Sequence, residues 1–202
     1  MIEHLNIVLA GVGGQGTLVA GKLLGAVASQ IGLDVKVSEV HGMSQRGGSV
    51  VTYVRMSRRV FSPIVEPGTA DFILAFEEVE ALRWAHLLHH GGIMLVNILR
   101  TIPLTVAMGK AVYPDNIIAS LREVAGSRAR IQPVDAVALA TAAGSSRAAN
   151  LVMIGAMAAC LDVPADLFRQ AIDQVFAEKY RLTNQKAFEA GSAIMMERFD
   201  PS

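Results

Sequence analysis

The sequence predicts a three-layer α/β/α domain with a mainly parallel, Rossmann-like sheet and C-terminal helices. Three observations point there. A short Ile/Val/Leu-rich run, HLNIVLA at 4–10, passes at once into GVGGQG at 11–16 and then into a stretch of helical periodicity. Strand, glycine turn and helix in that order open a βαβ unit. Further strand-like apolar runs recur up to position 97, interrupted by a helical pattern, and from 135 onward the spacing is helical.

Taken in order, residues 4–10 form the first strand. Residues 17–31 carry Leu18, Leu23, Leu24 and Val27 at helical spacing, and Gly32 supplies a stop. Residues 34–40 are β-branched and partly alternating, a second strand, and 49–56 (SVVTYVRM) a third. Ser57, Arg58 and Arg59 suit a turn, from which 60–64 is expected to pair back as a hairpin that ends around Pro63 and Pro67. Residues 71–76 (DFILAF) read as a buried strand. The next helix, 77–88, places Glu77, Glu78 and Glu80 in its first turn, where acids suit the helix dipole. His89 and His90 are expected at its end as cations beside a Gly91-Gly92 cap, in preference to metal ligands. Residues 92–97 (GIMLVN) form another strand, and 115–124 a helix within a mixed region that runs to about Pro133. Helices are expected at 135–142, 146–161, 165–177 and 184–197, with Pro164 at a helix start. With no repeat, low-complexity tract or linker, one domain is expected over 1–202.

Composition narrows the function classes. The chain has 202 residues, 52% of them hydrophobic and only 18% charged, against roughly 25% charged in an average soluble domain. Such sparing use of charge fits either a face covered by a partner or an Ala- and Gly-rich core. Formal net charge is zero, so there is no electrostatic case for nucleic acid, whose binding rests on basic patches. The apolar run at 151–161 is shorter than the ~20 residues needed to span a bilayer. The N-terminus, MIEHLN, has an acid and no basic stretch, unlike a signal peptide. No membrane association is expected, and the chain reads as cytoplasmic. Cys160 is the sole cysteine, so an internal disulfide is impossible and an iron–sulfur cluster, which usually takes about four thiolates, cannot be held here. It is expected to be a small buried hydrophobe.

Gly11, Gly13 and Gly16 satisfy G-x-G-x-x-G after a strand and before a helix. Backbone N–H groups at a helix start, with no Cβ in the way, favour a phosphate or a closely packed neighbour. The plainer reading is a tight turn that needs glycine for its dihedrals. A nicotinamide cofactor also wants an acid closing the second strand, and Glu39 stands close to that place, although Gly14 and Gln15 are unusual in such a turn. A stand-alone nucleotide-binding protein using NAD or ATP is the alternative. An adenylating enzyme of ubiquitin-like proteins would want further cysteines, and Cys160 in an apolar helix fits poorly.

Between the second and third strands lies EVHGMSQRGGSV at 39–50, a polar cluster and a double glycine between apolar runs. GVGGQG followed by this loop resembles the gamma domain of the 2-oxoacid:ferredoxin oxidoreductases, which act on pyruvate, ketoisovalerate or indolepyruvate, and within it the small subunits of the indolepyruvate type. The resemblance covers about residues 3–197, including DFILAFEEVEALR at 71–83 and Asn150 with its apolar helix.

The resemblance implies an oxidative decarboxylation of a 2-oxoacid to an acyl-CoA, with coenzyme A as co-substrate and electrons passed to ferredoxin. Thiamine diphosphate, Mg and [4Fe-4S] clusters are then expected on a large partner subunit, since this chain carries neither cluster cysteines nor a G-D-G thiamine diphosphate signature. It further implies that His41, Met43, Ser44, Gln45, Arg46, Gly47 and Gly48 form an active-site or partner-contacting loop. Gly47-Gly48 would admit close backbone approach, Arg46 would offer a donor fork to a carboxylate or phosphate, and Met43 an adaptable apolar contact. The competing reading is an internal loop held by a Glu39–Arg46 pair. Gly11, Gly13, Gly14, Gln15 and Gly16 are expected to touch the partner, or a phosphate of coenzyme A. No catalytic acid–base pair or nucleophile is assigned on this chain. Alone, the chain is expected to form a homodimer.

Overall fold

A computed structural model describes residues 2–42 and 48–199. Six strands and eight α-helices are described: β1 (His4–Val12), α1 (Thr17–Gln30), β2 (Asp34–His41), β3 (Ser49–Ser57), β4 (Ala70–Ala75), α2 (Glu78–Trp84), β5 (Leu88–Asn97), α3 (Leu104–Ala107), α4 (Ile117–Ala125), β6 (Arg130–Val134), α5 (Ala136–Ala142), α6 (Ala149–Ala158), α7 (Ala165–Val175) and α8 (Glu178–Phe199). The sheet order is β2-β3-β1-β4-β5-β6. The β1–β4, β4–β5 and β5–β6 pairings are parallel, whereas β3 runs antiparallel to both β1 and β2.

Alternate residues of the central strands feed two separate cores, which is why those strands read as continuous apolar runs. Ile7, Leu9, Phe72, Leu74 and Leu95 pack with α1 and α5–α8 on one face. Val8, Ile73, Ala75, Met94 and Val96 pack with α2 and α4 on the other. The three-layer α/β/α arrangement is therefore as expected. The deepest element is α6, whose residues from Asn150 to Ala158 are all buried. It crosses α8 at two glycines: a Cβ on Gly155 would fall 1.9 Å from the Phe188 carbonyl oxygen, and one on Gly191 would fall 1.9 Å from that of Val152. Only hydrogen side chains permit backbones to approach this closely.

Several expected elements differ, each for a physical reason. Residues 60–64 form no strand. Both edges of β3 are already taken by β1 and β2, leaving a returning hairpin strand nothing to pair with. The segment is tied down instead by Asp34, which accepts from the Val60 N–H at 2.8 Å, and by Arg55, which donates to the Ser62 and Ile64 carbonyls at 3.1 Å. The helix expected at 77–88 stops at Trp84, followed by a 3-10 turn over Ala85–Leu87. His89 and His90 therefore belong to β5 and are not helix-end cations; His89 Nε2 lies 3.3 Å from Asp71. Strand β6 contains Pro133 and α3 is a single turn, so neither shows a periodic signal; β6 tolerates its proline as an edge strand. The helix expected at 146–161 divides into a 3-10 turn at Ser146–Ala148 and α6, and α8 starts at Glu178 rather than 184.

Among the described residues, no helix is long and apolar enough to cross a membrane. Cys160 is half-buried after α6, where its thiol lies 3.5 Å from the Ala156 carbonyl; burial pushes its pKa up.

Candidate functional site

Open α/β sheets present their binding surfaces beyond the carboxyl ends of the parallel strands. At that end here stand the turn after β1, the loop joining β2 to β3, and the residues that follow β4, β5 and β6. The first of these is shaped by its own side chains. Gln15 folds back so that its Oε1 accepts from the Val12 N–H at 2.9 Å, while its own N–H donates to the Val12 carbonyl at 3.2 Å. A Cβ on Gly11 would fall 2.6 Å from that Oε1. Gly16 is the N-cap of α1 in left-handed backbone, φ 80 and ψ 27, and a Cβ there would meet Asn150 Nδ2 at 2.7 Å. Neighbouring side chains thus crowd Gly11 and Gly16, and Gly16 also takes the left-handed backbone that favours glycine.

Asn150 starts α6 and is buried. Its side chain donates to the Gly16 carbonyl at 3.4 Å and accepts from the Leu151 N–H at 3.0 Å. A second buried asparagine, Asn97 at the end of β5, donates to the Phe76 carbonyl and accepts from the Ala136 N–H, both at 3.1 Å. It thereby locks the end of β4 to the start of α5. Around these groups lies a cleft of ≈ 290 Å³ lined among others by Gly14, Gly16, Phe76, Leu99, Arg147 and Asn150. Arg147 is exposed, and its guanidinium has no partner among the described residues. Sequence reasoning did not single out Arg147. The only signal was the polar GSSR run just before Asn150.

The described ends of the polar loop meet the glycine turn and each other. The Gly13 N–H donates to the Gly48 carbonyl at 3.0 Å, and the Gly42 N–H to Ser49 at 3.0 Å, closing the base of the loop. His41 Nε2 lies 2.8 Å from Glu39 Oε1. Met43, Ser44, Gln45, Arg46 and Gly47 lie outside the described residues, so of the seven loop positions only His41 and Gly48 are placed. Glu39 is not turned toward a ribose. Its Oε2 accepts from Thr17 Oγ1 at 3.0 Å and Thr52 Oγ1 at 3.1 Å, placing a carboxylate at the positive end of α1. With Glu39 occupied in this way, the NAD reading loses its second support.

A buried acidic cluster completes this edge. Glu77, the α2 N-cap, accepts from the Glu80 N–H at 3.1 Å, from the Thr101 N–H at 3.1 Å and from Tyr113 Oη at 2.5 Å. Glu78 pairs with Arg100 at 2.9 Å. Glu80 accepts from Ser49 Oγ at 2.5 Å and Trp84 Nε1 at 3.2 Å, tying α2 to the first residue after the loop. Burial first, then the bond to Glu77, holds the Tyr113 phenol well above its ordinary range. These acids fasten segments together, which goes beyond the dipole role read from their positions. Among the described residues, no three His, Cys, Asp or Glu side chains converge to hold a metal ion.

The pyruvate ferredoxin/flavodoxin oxidoreductase pattern matches residues 6–194. The chain is 41% identical over 194 residues to indolepyruvate oxidoreductase subunit IorB of Thermococcus kodakarensis, covering 94% of this chain and 95% of that one. It is 30% identical over 202 residues to ketoisovalerate oxidoreductase subunit VorA of Methanothermobacter thermautotrophicus, covering 98% of this chain but 38% of the relative. The fold superimposes with a TM-score of 0.74, at 20% identity, on the 2-oxoglutarate:ferredoxin oxidoreductase from Magnetococcus marinus, solved with 2-oxoglutarate, coenzyme A and succinyl-CoA bound; the match covers 98% of this chain and 32% of that chain. The chain belongs to the pyruvate ferredoxin/flavodoxin oxidoreductase family.

Proposed function

We propose that this chain is the small subunit of a 2-oxoacid:ferredoxin oxidoreductase acting on indolepyruvate or a related arylpyruvate. In this reading residues 1–202 form one gamma-type domain that works in the cytoplasm. The observation that carries the reading is the end-to-end likeness to IorB, at 41% identity over 95% of that subunit. A large partner subunit holds thiamine diphosphate, Mg and the [4Fe-4S] clusters and passes electrons to ferredoxin. The residues of this chain do not fit an iron–sulfur cluster, since one cysteine cannot ligate it. Thiamine diphosphate supplies the carbanion chemistry on the partner. This chain supplies the edge built from its glycine turn and loop, which closes the partner's site and excludes water, strengthening the electrostatics inside.

Within that edge, Arg46 and its neighbours form the contacting loop, supported by the anchoring of the loop base on Gly13. Replacing Arg46 with Ala is expected to leave the isolated chain folded and to lower turnover of the assembled enzyme, because losing a buried charge-assisted contact across an interface costs about 2–5 kcal/mol. An unfolded variant, or unchanged turnover per folded molecule, would return Arg46 to the internal-loop reading. The cleft beside Gly14 and Gly16, with the exposed guanidinium of Arg147 on its rim, supports a second role in taking a phosphate of coenzyme A. Coenzyme A should then raise the melting temperature of the chain, and Arg147→Gln should abolish the rise. Isolated, the chain self-associates, as its low charge suggests.

A further inference from the structure

The segment between β5 and α4 is built inside out. Its polar anchors point inward: the Thr101 N–H and Tyr113 Oη donate to buried Glu77, Arg100 pairs with buried Glu78, and the Leu99 carbonyl accepts from the Glu78 N–H at 3.1 Å. Within it, the Ala107 N–H donates to Pro103 and the Lys110 N–H to Thr105, so the segment is folded on itself. Four of its apolar side chains face solvent. Ile98 is 45% exposed, Ile102 57%, Met108 57% and Val112 87%. Arg100, Lys110 and Asp115 are its only charges, and Arg100 is already paired with Glu78.

Two buried carboxylates carry a desolvation cost, and here they hold in place a run of apolar residues facing water. A solvent-facing loop would use the opposite arrangement, and exposed apolar patches of this kind mark interaction sites. The segment also adjoins the candidate site, because Leu99 lines the cleft beside the glycine turn. In VorA the matching region is 38% of a longer chain, so in that relative the domain is joined to a larger body.

We infer that the segment from Ile98 to Val112 is the apolar docking surface for the large subunit, an inference that rests on the subunit reading above. Its occupant is a hydrophobic face of that subunit, which would reach the cleft through Leu99.

The test uses the chain and its co-produced large subunit. Ile102→Glu with Val112→Glu should leave the melting temperature of the isolated chain within about 2 °C, since both side chains are exposed. The same pair should weaken binding to the large subunit at least about tenfold. Phe61→Glu alters another exposed apolar residue, 79% exposed and outside the segment, and should bind as the parent does. If the double variant does not fold, Val112→Glu alone carries the measurement. Parent-like binding by the segment variants, while the parent chain reconstitutes the enzyme, overturns the surface assignment alone. Parent-like binding together with loss of self-association gives the surface to a second copy of this chain, which also overturns it. A parent chain that binds no large subunit overturns both this inference and the subunit reading.

Discussion

Gly16→Ala probes the junction on which the candidate site is built. Alanine at φ 80 and ψ 27 occupies left-handed backbone, at a cost of about 1 kcal/mol. The new Cβ would also lie 2.7 Å from Asn150 Nδ2, so Asn150 must move from a buried place where it serves both Gly16 and Leu151. Disturbing those bonds costs about 1–2 kcal/mol. The total, about 2–3 kcal/mol, corresponds to a fall of about 4–12 °C in melting temperature for a chain of this length. Thermal and urea denaturation of Gly16→Ala, Asn150→Ala and the double variant form a cycle, and the double should fall short of additivity by about 1 kcal/mol. Gly14→Ala serves as the control: its backbone is also left-handed, φ 101, but a Cβ there meets nothing within 4 Å. Its cost should add to that of Asn150→Ala within about 0.5 kcal/mol. Additivity in both cycles would refute the claim that Asn150 is what demands glycine at 16.

Gly155→Ala or Gly191→Ala must push α6 and α8 apart, because each Cβ would lie 1.9 Å from backbone oxygen and no rotamer relieves that. A loss of at least about 3 kcal/mol is expected, and a melting temperature within a few degrees of the parent would contradict the crossing. Asn97→Leu leaves the Phe76 carbonyl and Ala136 N–H without their partner, which should cost about 2 kcal/mol or more by denaturant unfolding. Burial raises the Cys160 pKa, so thiolate is scarce at pH 8 and a disulfide reagent should react slowly until the chain is unfolded. By linkage, the stability due to this protonated thiol is fully present below the ordinary thiol range and is lost as pH rises through the raised value. Rapid native reaction would show that the thiol is not buried in this way.

Much of the fold was legible because β1, β4 and β5 are buried on both faces and therefore read as unbroken apolar runs, while α1 and α7 keep helical spacing. What escaped depends on pairing between distant segments. The expected hairpin at 60–64 failed because β1, far away in sequence, occupies the edge of β3 that it would need. Strand β6 was hidden by Pro133, tolerated only because the strand lies at the sheet edge. At the site, the glycine turn and the polar loop were visible as motifs, and Asn150 entered through resemblance. The reason for Gly16, the engagement of Glu39 by Thr17 and Thr52, and the fastening roles of Glu77, Glu78 and Glu80 were not. Each joins residues more than ten positions apart, which local patterning does not encode. Arg147 escaped for the same reason, since only the approach of α6 to the glycine turn brings it beside the cleft.

The central claim is a division of labour between this chain and a large cofactor-bearing subunit. Its most direct test is viologen or ferredoxin reduction with indolepyruvate and coenzyme A, measured for each subunit separately and then for the two mixed. This chain alone should give no turnover and the large subunit little, and mixing should restore it. Full turnover by the large subunit without this chain, or any turnover by this chain alone, would contradict the claim.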